Sequence, residues 1–114
     1  MNEGCLFCRI AAGELPAEVV EETENAVAFR DINPAAPTHV LVIPRRHVAS
    51  AADLGRNDGD LLGELFALAA SVARAEGLDA GWRLVTNVGE GAGQSVHHLH
   101  LHVLGGRSLS WPPG

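Results

Sequence analysis

The segment HHLHLH, from residue 97 to residue 102, holds four of the six histidines of the chain. An imidazole, with its unperturbed pKa of about 6.5, can act as a nucleophile, an acid or a base near neutral pH, and it can bind a metal. If the segment is a strand, successive side chains point to opposite faces. His98, His100 and His102 would then share one face, with the apolar residues between them packed against the core. His97 would lie at the start of the strand or in the preceding turn.

Distance argues against a metal site built from this row alone. Same-face neighbours on a strand lie about 6.6 Å apart, so the backbones of His98 and His102 would be about 13 Å apart. Zinc needs imidazole nitrogens at about 2.0–2.1 Å, and three histidines in a row on a straight strand fit that poorly. The spacing therefore favours a row of imidazoles facing a cleft, where they can do nucleophilic or acid–base chemistry.

A glycine-rich loop, GEGAGQS at 89–95, directly precedes the histidines. Its glycines permit a tight turn with exposed N–H groups, and such turns bind anions, phosphate above all. The side chains of Gln94 and Ser95 add further donors. A loop of this kind that leads into a histidine row predicts a phosphoryl group held beside an imidazole that can attack phosphorus.

The two cysteines of the chain, Cys5 and Cys8, form a CxxC motif. In a cytosolic protein this spacing is typical of half a metal site or of a redox pair, more than of a structural disulfide. A thioredoxin-like motif follows a strand in a βαβ unit, whereas this one opens the chain, so we disfavour the redox interpretation. Two buried thiols on a short helix are the simplest alternative.

Composition limits the class of protein. A length of 114 residues suits one domain, here 1–114, and 46% apolar with 19% charged residues predicts a globular fold. No apolar run approaches the roughly 20 residues of a membrane helix, and the N-terminus does not resemble a signal peptide, so we expect a cytoplasmic protein. The net charge is −6, and no dense basic patch lies beyond Arg45 and Arg46, which disfavours nucleic-acid partners.

Periodicity predicts a short helix at 5–12 and a long helix at 58–76. The long helix would be capped by Asp58 or Asn57 and ended by Gly77. Its apolar residues recur at three- and four-residue spacing and should face the core. This stripe comprises Leu61, Leu62, Leu65, Phe66, Leu68, Ala69, Val72 and Ala73.

Five strands are expected, most of them joined by short turns. The third, an unbroken apolar run, should be central and covered on both faces. This pattern favours an α+β fold with a five-stranded, mainly antiparallel sheet. The predicted strands are 18–22, 26–32, 39–44, 82–87 and 96–104.

Several motifs resemble one known family in order and spacing. HHLHLHVL contains the His-φ-His-φ-His-φ-φ pattern of the histidine triad (HIT) superfamily, in which φ is apolar. The segments FRDINPAAPTHVLVIPRRH, GAGQSVHHLHLHVLGGR and WPPG are similar to its Hint branch, the histidine triad nucleotide-binding proteins. The resemblance extends from CLFCRI to the C-terminus. It implies a single HIT domain that forms a homodimer.

The resemblance also implies an activity that requires no cofactor. Hint proteins hydrolyse purine nucleoside phosphoramidates, such as AMP joined to an amine through a P–N bond. By this likeness His100 attacks the α-phosphorus, a nucleotidyl-histidine forms, and water releases the nucleoside monophosphate. His102 would contact the phosphate and help to transfer a proton to the leaving amine, beside which Ser95 would donate a hydrogen bond. The amides around Gly93, Gln94 and Ser95 would stabilise the phosphoryl oxygens.

The nucleoside contacts implied by the family fall on four further residues. Asp31 would bind the ribose hydroxyls, and Asn87 would orient the groups beside the phosphate. Phe29 and Ile32 would sandwich the base. Without the family, these residues would be taken as turn residues and core residues.

Three aromatic side chains complete the expected site. His39 should act behind it, and Trp111 should reach the site of the partner subunit or its rim. Trp111 lying on its own core is the alternative. His97 stands where Hint proteins usually have tyrosine, and we expect the change to repack the surface.

Some HIT-superfamily members hold a structural zinc ion with an N-terminal CxxC, the histidine of a P-x-x-H segment and the first histidine of the triad. The matching residues are Cys5, Cys8, His47 and His98. Two thiolates and two imidazoles make a sensible tetrahedral set. Many Hint proteins lack the cysteines and fold without metal, so the sequence leaves zinc as a possible structural ion.

Other functions remain open at this stage. A dinucleoside polyphosphate hydrolase or a nucleotidyl transferase of another HIT branch would use the same His100. A nucleotide-binding interaction module without catalysis, or a zinc-binding regulatory module, would belong to a different class. The Hint-like tail GGRSLSWPPG argues against another branch, and the complete triad argues against lost catalysis.

Overall fold

The computed structural model describes residues 4–114, so the first three residues of the predicted domain lie outside it. Within the described part, five strands form one sheet in the order β1-β2-β3-β5-β4, and all neighbouring strands are antiparallel. The strands are β1 (Val19–Glu22), β2 (Ala26–Arg30), β3 (Thr38–Pro44), β4 (Trp82–Val85) and β5 (Leu101–Gly105). The helices are α1 (Leu6–Ala11) and α2 (Gly59–Ala75). The predicted α+β fold is confirmed.

Strand β3 lies at the centre of the sheet, between β2 and β5. All seven of its residues are buried, as its unbroken apolar run predicts for a strand covered on both faces. Val40 and Val42 pack in the larger core cluster, which includes α2, whereas Leu41 and Ile43 pack in the smaller cluster with Phe7 of α1. The two helices therefore cover opposite faces of the sheet.

The histidines and their apolar neighbours are divided between these two faces. The rings of His98 and His100 contact Phe7 of α1, at centroid distances of 6.0 and 5.1 Å. The apolar residues between the histidines pack in the cluster with α2; these are Leu99, Leu101 and Val103. The predicted alternation is confirmed, and it places the histidines on the α1 face.

The last strand is much shorter than the predicted 96–104. It begins only at Leu101, and the two preceding triad histidines lie in an irregular segment. The N–H of Leu99 donates to the carbonyl of Val48 at 2.6 Å, and Val48 lies outside the sheet. Pairing with the neighbouring strands therefore begins only at Leu101. Strands β2 and β4 also end two residues before their predicted bounds.

The long helix matches its predicted range closely. Asp58 is its N-cap residue, although the carboxylate accepts the N–H of Gly55 rather than one from the helix. Gly77 follows the helix with a φ of +73°, a left-handed conformation that favours glycine, as predicted. The buried residues of the stripe are Leu65, Leu68, Ala69, Val72 and Ala73.

Phe66 was predicted to face the core with the rest of the apolar stripe of α2, and this prediction is wrong. Its side chain is 53% exposed, whereas Leu65 beside it is fully buried. The helix covers one face of one sheet, so only a stripe about 100° wide can be buried. Phe66 lies on the flank of that stripe and leaves apolar surface in solvent.

Candidate active site and metal centre

The candidate site lies where the chain returns from the glycine-rich loop to the sheet. His98 is fully buried, His100 is 5% exposed, and His102 is half-buried in β5. The ring of His100 contacts Phe7 at 5.1 Å and His102 at 4.9 Å, both edge to face. The three histidines predicted to act together are thus neighbours, with His100 in the middle.

Backbone groups determine which nitrogen of each ring carries a proton. A carbonyl oxygen only accepts, so the ring nitrogen that contacts it must donate. His98 Nε2 lies 2.8 Å from the carbonyl of Pro44, and His100 Nδ1 lies 2.7 Å from the carbonyl of His98. In their neutral forms, His98 therefore has its lone pair on Nδ1, and His100 has its lone pair on Nε2.

In His39 a ring nitrogen accepts instead: Nδ1 accepts the N–H of Ala35 at 3.0 Å. The proton of the neutral His39 ring is consequently on Nε2, and this N–H donates to His102 Nδ1 at 2.9 Å. The proton of His102 is then on Nε2, which is buried and has no hydrogen-bond partner among residues 4–114. The carboxylate of Asp31 lies 3.4 Å from His39 Nε2 and adds negative charge beside that proton.

Both rings of this pair are neutral near pH 7. Burial lowers the pKa of His39 below its usual 6.5, although the charge of Asp31 opposes the shift. Burial lowers the pKa of His102 to about 4, with smaller contributions from His100 and His39. His102 therefore offers an N–H donor without a positive charge, beside a ring whose lone pair is free.

The stability of the fold is expected to fall as the pH drops from about 6.5 towards about 4, since unfolded histidine has a pKa of about 6.5. The pKa of folded His102 is about 4, so the unfolded chain binds the proton first and protonation favours unfolding. The stability linked to neutral His102 is present above pH about 6.5 and is lost as the pH falls through the folded pKa. Urea unfolding at about pH 7.5 and about pH 5 measures this loss.

A variant isolates the contribution of His102 from those of other groups. His102→Gln removes the titration, so its free energy of unfolding should change less between the two pH values than that of wild type. The exposed His97 supplies the matched control, and His97→Gln should behave like wild type. Equal pH dependence in wild type and His102→Gln would contradict the lowered pKa.

The glycine-rich loop is held by its own hydrogen bonds. Gly89 and Gly93 have φ values of +85° and +90°, a conformation that favours glycine. The N–H of Gly93 donates to the carbonyl of Glu90, and the N–H of Gln94 donates to the carbonyl of Gly89. The side-chain amide of Gln94 donates to two backbone carbonyls and accepts the N–H of Gly89.

This bonding bears on the phosphate contacts predicted for the loop, which themselves stay a prediction. The backbone N–H groups of Gly93 and Gln94 and the side chain of Gln94 already have partners inside the chain, and Gln94 is only 5% exposed. Ser95 is exposed, and its hydroxyl takes part in none of these bonds. Of the three residues, Ser95 is the one that can donate to a ligand in this conformation.

The residues predicted to hold the nucleoside differ in burial. Phe29 is 4% exposed and contacts Phe7 at 5.4 Å, so core packing accounts for it. Ile32 is 91% exposed and presents a bare apolar side chain to solvent. Asp31 and Asn87 are both half-buried, at the ends of β2 and β4. A sandwich of a base between Phe29 and Ile32 is therefore not preformed.

The remaining predicted residues lie around the histidines or in the tail. His39 is buried behind His102, as expected. His97 is exposed in the turn before the triad. Trp111 is 82% exposed, so it does not lie on its own core.

Four side chains on the α1 face form a candidate metal centre. One ligand atom from each of Cys5, Cys8, His47 and His98 lies within 4.8 Å of all the others. His98 Nδ1, the nitrogen with the lone pair, is 3.3 Å from Cys5 Sγ and 3.5 Å from Cys8 Sγ. His47 Nδ1 is 3.3 Å from Cys8 Sγ. A tetrahedral zinc with arms of about 2.0–2.3 Å keeps its ligands roughly 3.3–3.8 Å apart, so these residues fit such an ion.

A second cluster, formed by Asp31, His39 and His102, also brings its ligand atoms within 4.8 Å. It does not fit a metal in the same way. The N–H of Ala35 occupies the lone pair of His39 Nδ1, so a metal on Nε2 would require a doubly deprotonated ring. The geometry instead suits a chain of hydrogen bonds that fixes the proton of His102.

The groups that fix the proton positions of these rings could not be predicted from residue types. The amide of Ala35 and the carbonyl of Pro44 are backbone atoms, which no residue type identifies. Phe7 was also missed, although an aromatic residue between two cysteines of a short helix does indicate a core contact. Thr86, whose hydroxyl donates to the carbonyl of His100 at 2.9 Å, belongs to no recognised motif.

Comparison with known proteins identifies the family. The model of the HIT domain matches residues 12–109. An uncharacterized HIT-like protein from Synechococcus elongatus is 46% identical over 114 residues, the full length of both chains. The chain belongs to the HIT family. Cys5, Cys8 and Trp111 lie outside the part that the HIT model matches, whereas the triad and His47 lie inside it.

Solved HIT structures have the same fold. The crystal structure of a HIT family hydrolase from Legionella pneumophila Philadelphia 1 is 55% identical, with a TM-score of 0.94 over 96% of this chain and 99% of that one. A HIT family hydrolase from Clostridium thermocellum is 42% identical, with a TM-score of 0.93 over 96% of each chain. The chain is therefore similar to HIT hydrolases over nearly its whole length.

Proposed function

We propose that this HIT protein is a purine nucleoside phosphoramidase of the Hint type. The observation that carries the proposal is the complementary protonation of two neighbouring rings. His100 has a lone pair on Nε2, whereas His102 has a buried N–H on Nε2 that lacks a partner. A phosphoryl group placed between them would receive the lone pair at phosphorus and the N–H at an oxygen.

The first step would exchange one bond at phosphorus for another. His100 Nε2 attacks the α-phosphorus, the bond between that nitrogen and phosphorus forms, and the P–N bond to the amine breaks. The leaving nitrogen would take a proton from solvent water, which becomes hydroxide, and the exposed Ser95 hydroxyl would donate a hydrogen bond beside the leaving group. In the second step hydroxide attacks phosphorus, the bond to His100 breaks, and the nucleoside monophosphate leaves.

His102 has a different role here from the one implied by the family. Loss of the proton from a neutral imidazole would leave an imidazolate, which is unfavourable in a buried site. His102 therefore keeps its proton and donates to a phosphoryl oxygen as negative charge develops there. The contact with the phosphate is retained, whereas the proton for the leaving amine comes from solvent.

The nucleoside would bind at the rim of the site. Asp31, half-buried beside His39, would accept hydrogen bonds from the ribose hydroxyls. The exposed Ile32 would cover one face of the base, and Asn87 would orient the phosphate side. Purine nucleoside monophosphates and their phosphoramidates are the ligands that we expect.

One observation favours a second candidate, hydrolysis of a P–O–P bond. A phosphate leaving group needs no proton, so the lack of a charged acid at His102 would not slow its departure. The same His100 would attack in a dinucleoside polyphosphate hydrolase or a nucleotidyl transferase. The nature of the leaving group therefore separates the candidates.

The test compares kcat/KM for adenosine tryptamine phosphoramidate and for diadenosine polyphosphates, with AMP release as the readout. Faster turnover of the phosphoramidate would support the proposal. Turnover of the polyphosphates alone would replace it with the second candidate. If neither is hydrolysed while calorimetry detects AMP binding, the protein is a nucleotide-binding module.

Replacing His39 with phenylalanine is expected to lower kcat by about 10- to 100-fold, less than the roughly 10²–10³ for loss of an oxyanion donor. Without the N–H of His39, the proton of His102 is no longer confined to Nε2. His39→Gln keeps a donor and should retain most of the activity. Steady-state kinetics measures the effect, and equal kcat values for wild type and His39→Phe would contradict the role.

Zinc and a second subunit complete the proposal. Cys5, Cys8, His47 and His98 would hold zinc, which would cross-link α1 to the histidine segment as a structural ion. The exposed Trp111, Phe66 and the edge strand β4 offer surface for a homodimer.

Cys5 and Cys8 form no disulfide, and two cysteines that would hold zinc favour a reducing compartment such as the cytoplasm. No helix described within residues 4–114 is long and apolar enough to cross a membrane. Membranes and nucleic acids are not part of the proposal.

A further inference from the structure

Thr86 lies where the pairing between β4 and β5 ends. The last pair of this ladder joins Val85 to His102, and the same register would next place Leu101 opposite Thr86. One step further it would place Asn87 opposite His100. The ladder stops before that point, and the hydroxyl of Thr86 donates to the carbonyl of His100 at 2.9 Å. A side chain thus binds a backbone group that the sheet leaves without a ladder partner.

The residue after His100 already belongs to the sheet, since Leu101 pairs with Val42 of β3. The neighbouring N–H of Leu99 is bound by the carbonyl of Val48, and the ring of His100 is bound to the carbonyl of His98. Both contacts lie on the side of the segment that precedes His100. Within residues 4–114, the carbonyl of His100 itself accepts its hydrogen bond from Thr86, the residue that follows β4.

We propose that Thr86 is a positioning residue for the attacking imidazole. The proposal rests on the function proposed above, in which His100 Nε2 attacks phosphorus. Attack requires the nucleophile to be held within about 0.5 Å and 10–20° of the productive geometry. Together with the pairing of Leu101 to Val42, the bond from Thr86 holds the peptide plane that follows His100 and limits the rotation that would turn the ring away from phosphorus.

Because Thr86 is exposed, its hydroxyl can be removed without disturbing the packing of the core. Thr86 is solvent-exposed, so Thr86→Val opens no cavity. Valine keeps the branched Cβ and the preference for extended backbone, and only the hydroxyl is lost. Thr86→Ser keeps the hydroxyl and is the matched control.

Single-turnover and steady-state kinetics test the proposal with the phosphoramidate. A hydrogen bond worth about 0.5–1.5 kcal/mol predicts that kcat of Thr86→Val falls about 2- to 13-fold, with KM unchanged and most of the rate restored in Thr86→Ser. An unchanged kcat would overturn the proposal, as would equal losses in the two variants. A change confined to KM would assign Thr86 to substrate binding instead.

A second readout does not depend on the substrate. Nitrogen-15 spectra of the histidine side chains report the tautomer and exchange broadening of the His100 ring. Wild type should show a single form protonated on Nδ1, and Thr86→Val should show a second form or a broadened signal. Identical His100 signals in the two proteins would overturn the proposal. If wild type hydrolyses no phosphoramidate, the proposed function fails, and these spectra still decide the role of Thr86.

Discussion

Replacing His100 with alanine is expected to lower kcat for the phosphoramidate by about 10⁴-fold or more, because His100 is the group that we propose forms the covalent intermediate. The lone pair of His100 Nε2 is the only one in the triad that is free for phosphorus, since His102 Nε2 carries a proton and His98 Nδ1 lies among the thiols. AMP binding, measured by calorimetry, should persist. Rapid quenching and intact-mass measurement of wild type should detect the nucleotidyl adduct, which His100→Ala should lack.

Two further variants test whether the loss of turnover in His100→Ala comes from the missing nucleophile or from misfolding. His100→Asn keeps a side-chain N–H that can donate to the carbonyl of His98, so it should fold like wild type and still lack turnover. His97→Ala removes an exposed histidine three residues earlier and should leave kcat unchanged. Substantial turnover by His100→Asn would show that another group attacks phosphorus.

The division of the histidine segment between two faces could be predicted because it depends on local alternation. Leu99 and Leu101 pack with α2 even though Leu99 lies outside the strand. The start of β5 could not be predicted, because it depends on the bond from Leu99 to Val48, which is remote in sequence. The burial of Phe66 was overestimated for a similar reason, since periodicity indicates an apolar face and not how much of it the sheet can cover.

The residues of the candidate site could be predicted from the sequence, whereas the protonation of their rings could not. Residue types and the family pattern identify His100 and His102, but the protonation of each ring depends on contacts with Ala35, His39 and His98. For this reason the mechanism that we propose gives His102 a hydrogen bond to a phosphoryl oxygen, in place of the predicted proton transfer to the amine. A glycine-rich composition likewise indicates a tight loop, but it does not show that the amide of Gln94 already binds within that loop.

Removing zinc from the proposed centre is expected to lower the free energy of unfolding while leaving the rate of hydrolysis largely unchanged. Zinc at a thousand times its dissociation constant would stabilise the folded state by about 4 kcal/mol, which corresponds to roughly 10–20 °C in Tm for a chain of this size. The proposed centre would connect α1 to the histidine segment, since Cys5 caps the start of α1, Cys8 lies within it, and His98 precedes the proposed nucleophile. Metal analysis should find about one zinc per chain, and a strong chelator should lower the Tm.

The double variant Cys5→Ser/Cys8→Ser separates loss of metal from other effects of the chelator. Its Tm should match that of chelated wild type and should not change when chelator is added. Well below that Tm it should retain phosphoramidase activity, because no bond at phosphorus is formed or broken by the metal. A wild-type protein that contains no metal after purification, and whose Tm does not change with added zinc, would leave the cysteines as two packed thiols. A complete loss of turnover in the folded double variant would instead require the metal centre to position His100 through Phe7 and the carbonyl of His98.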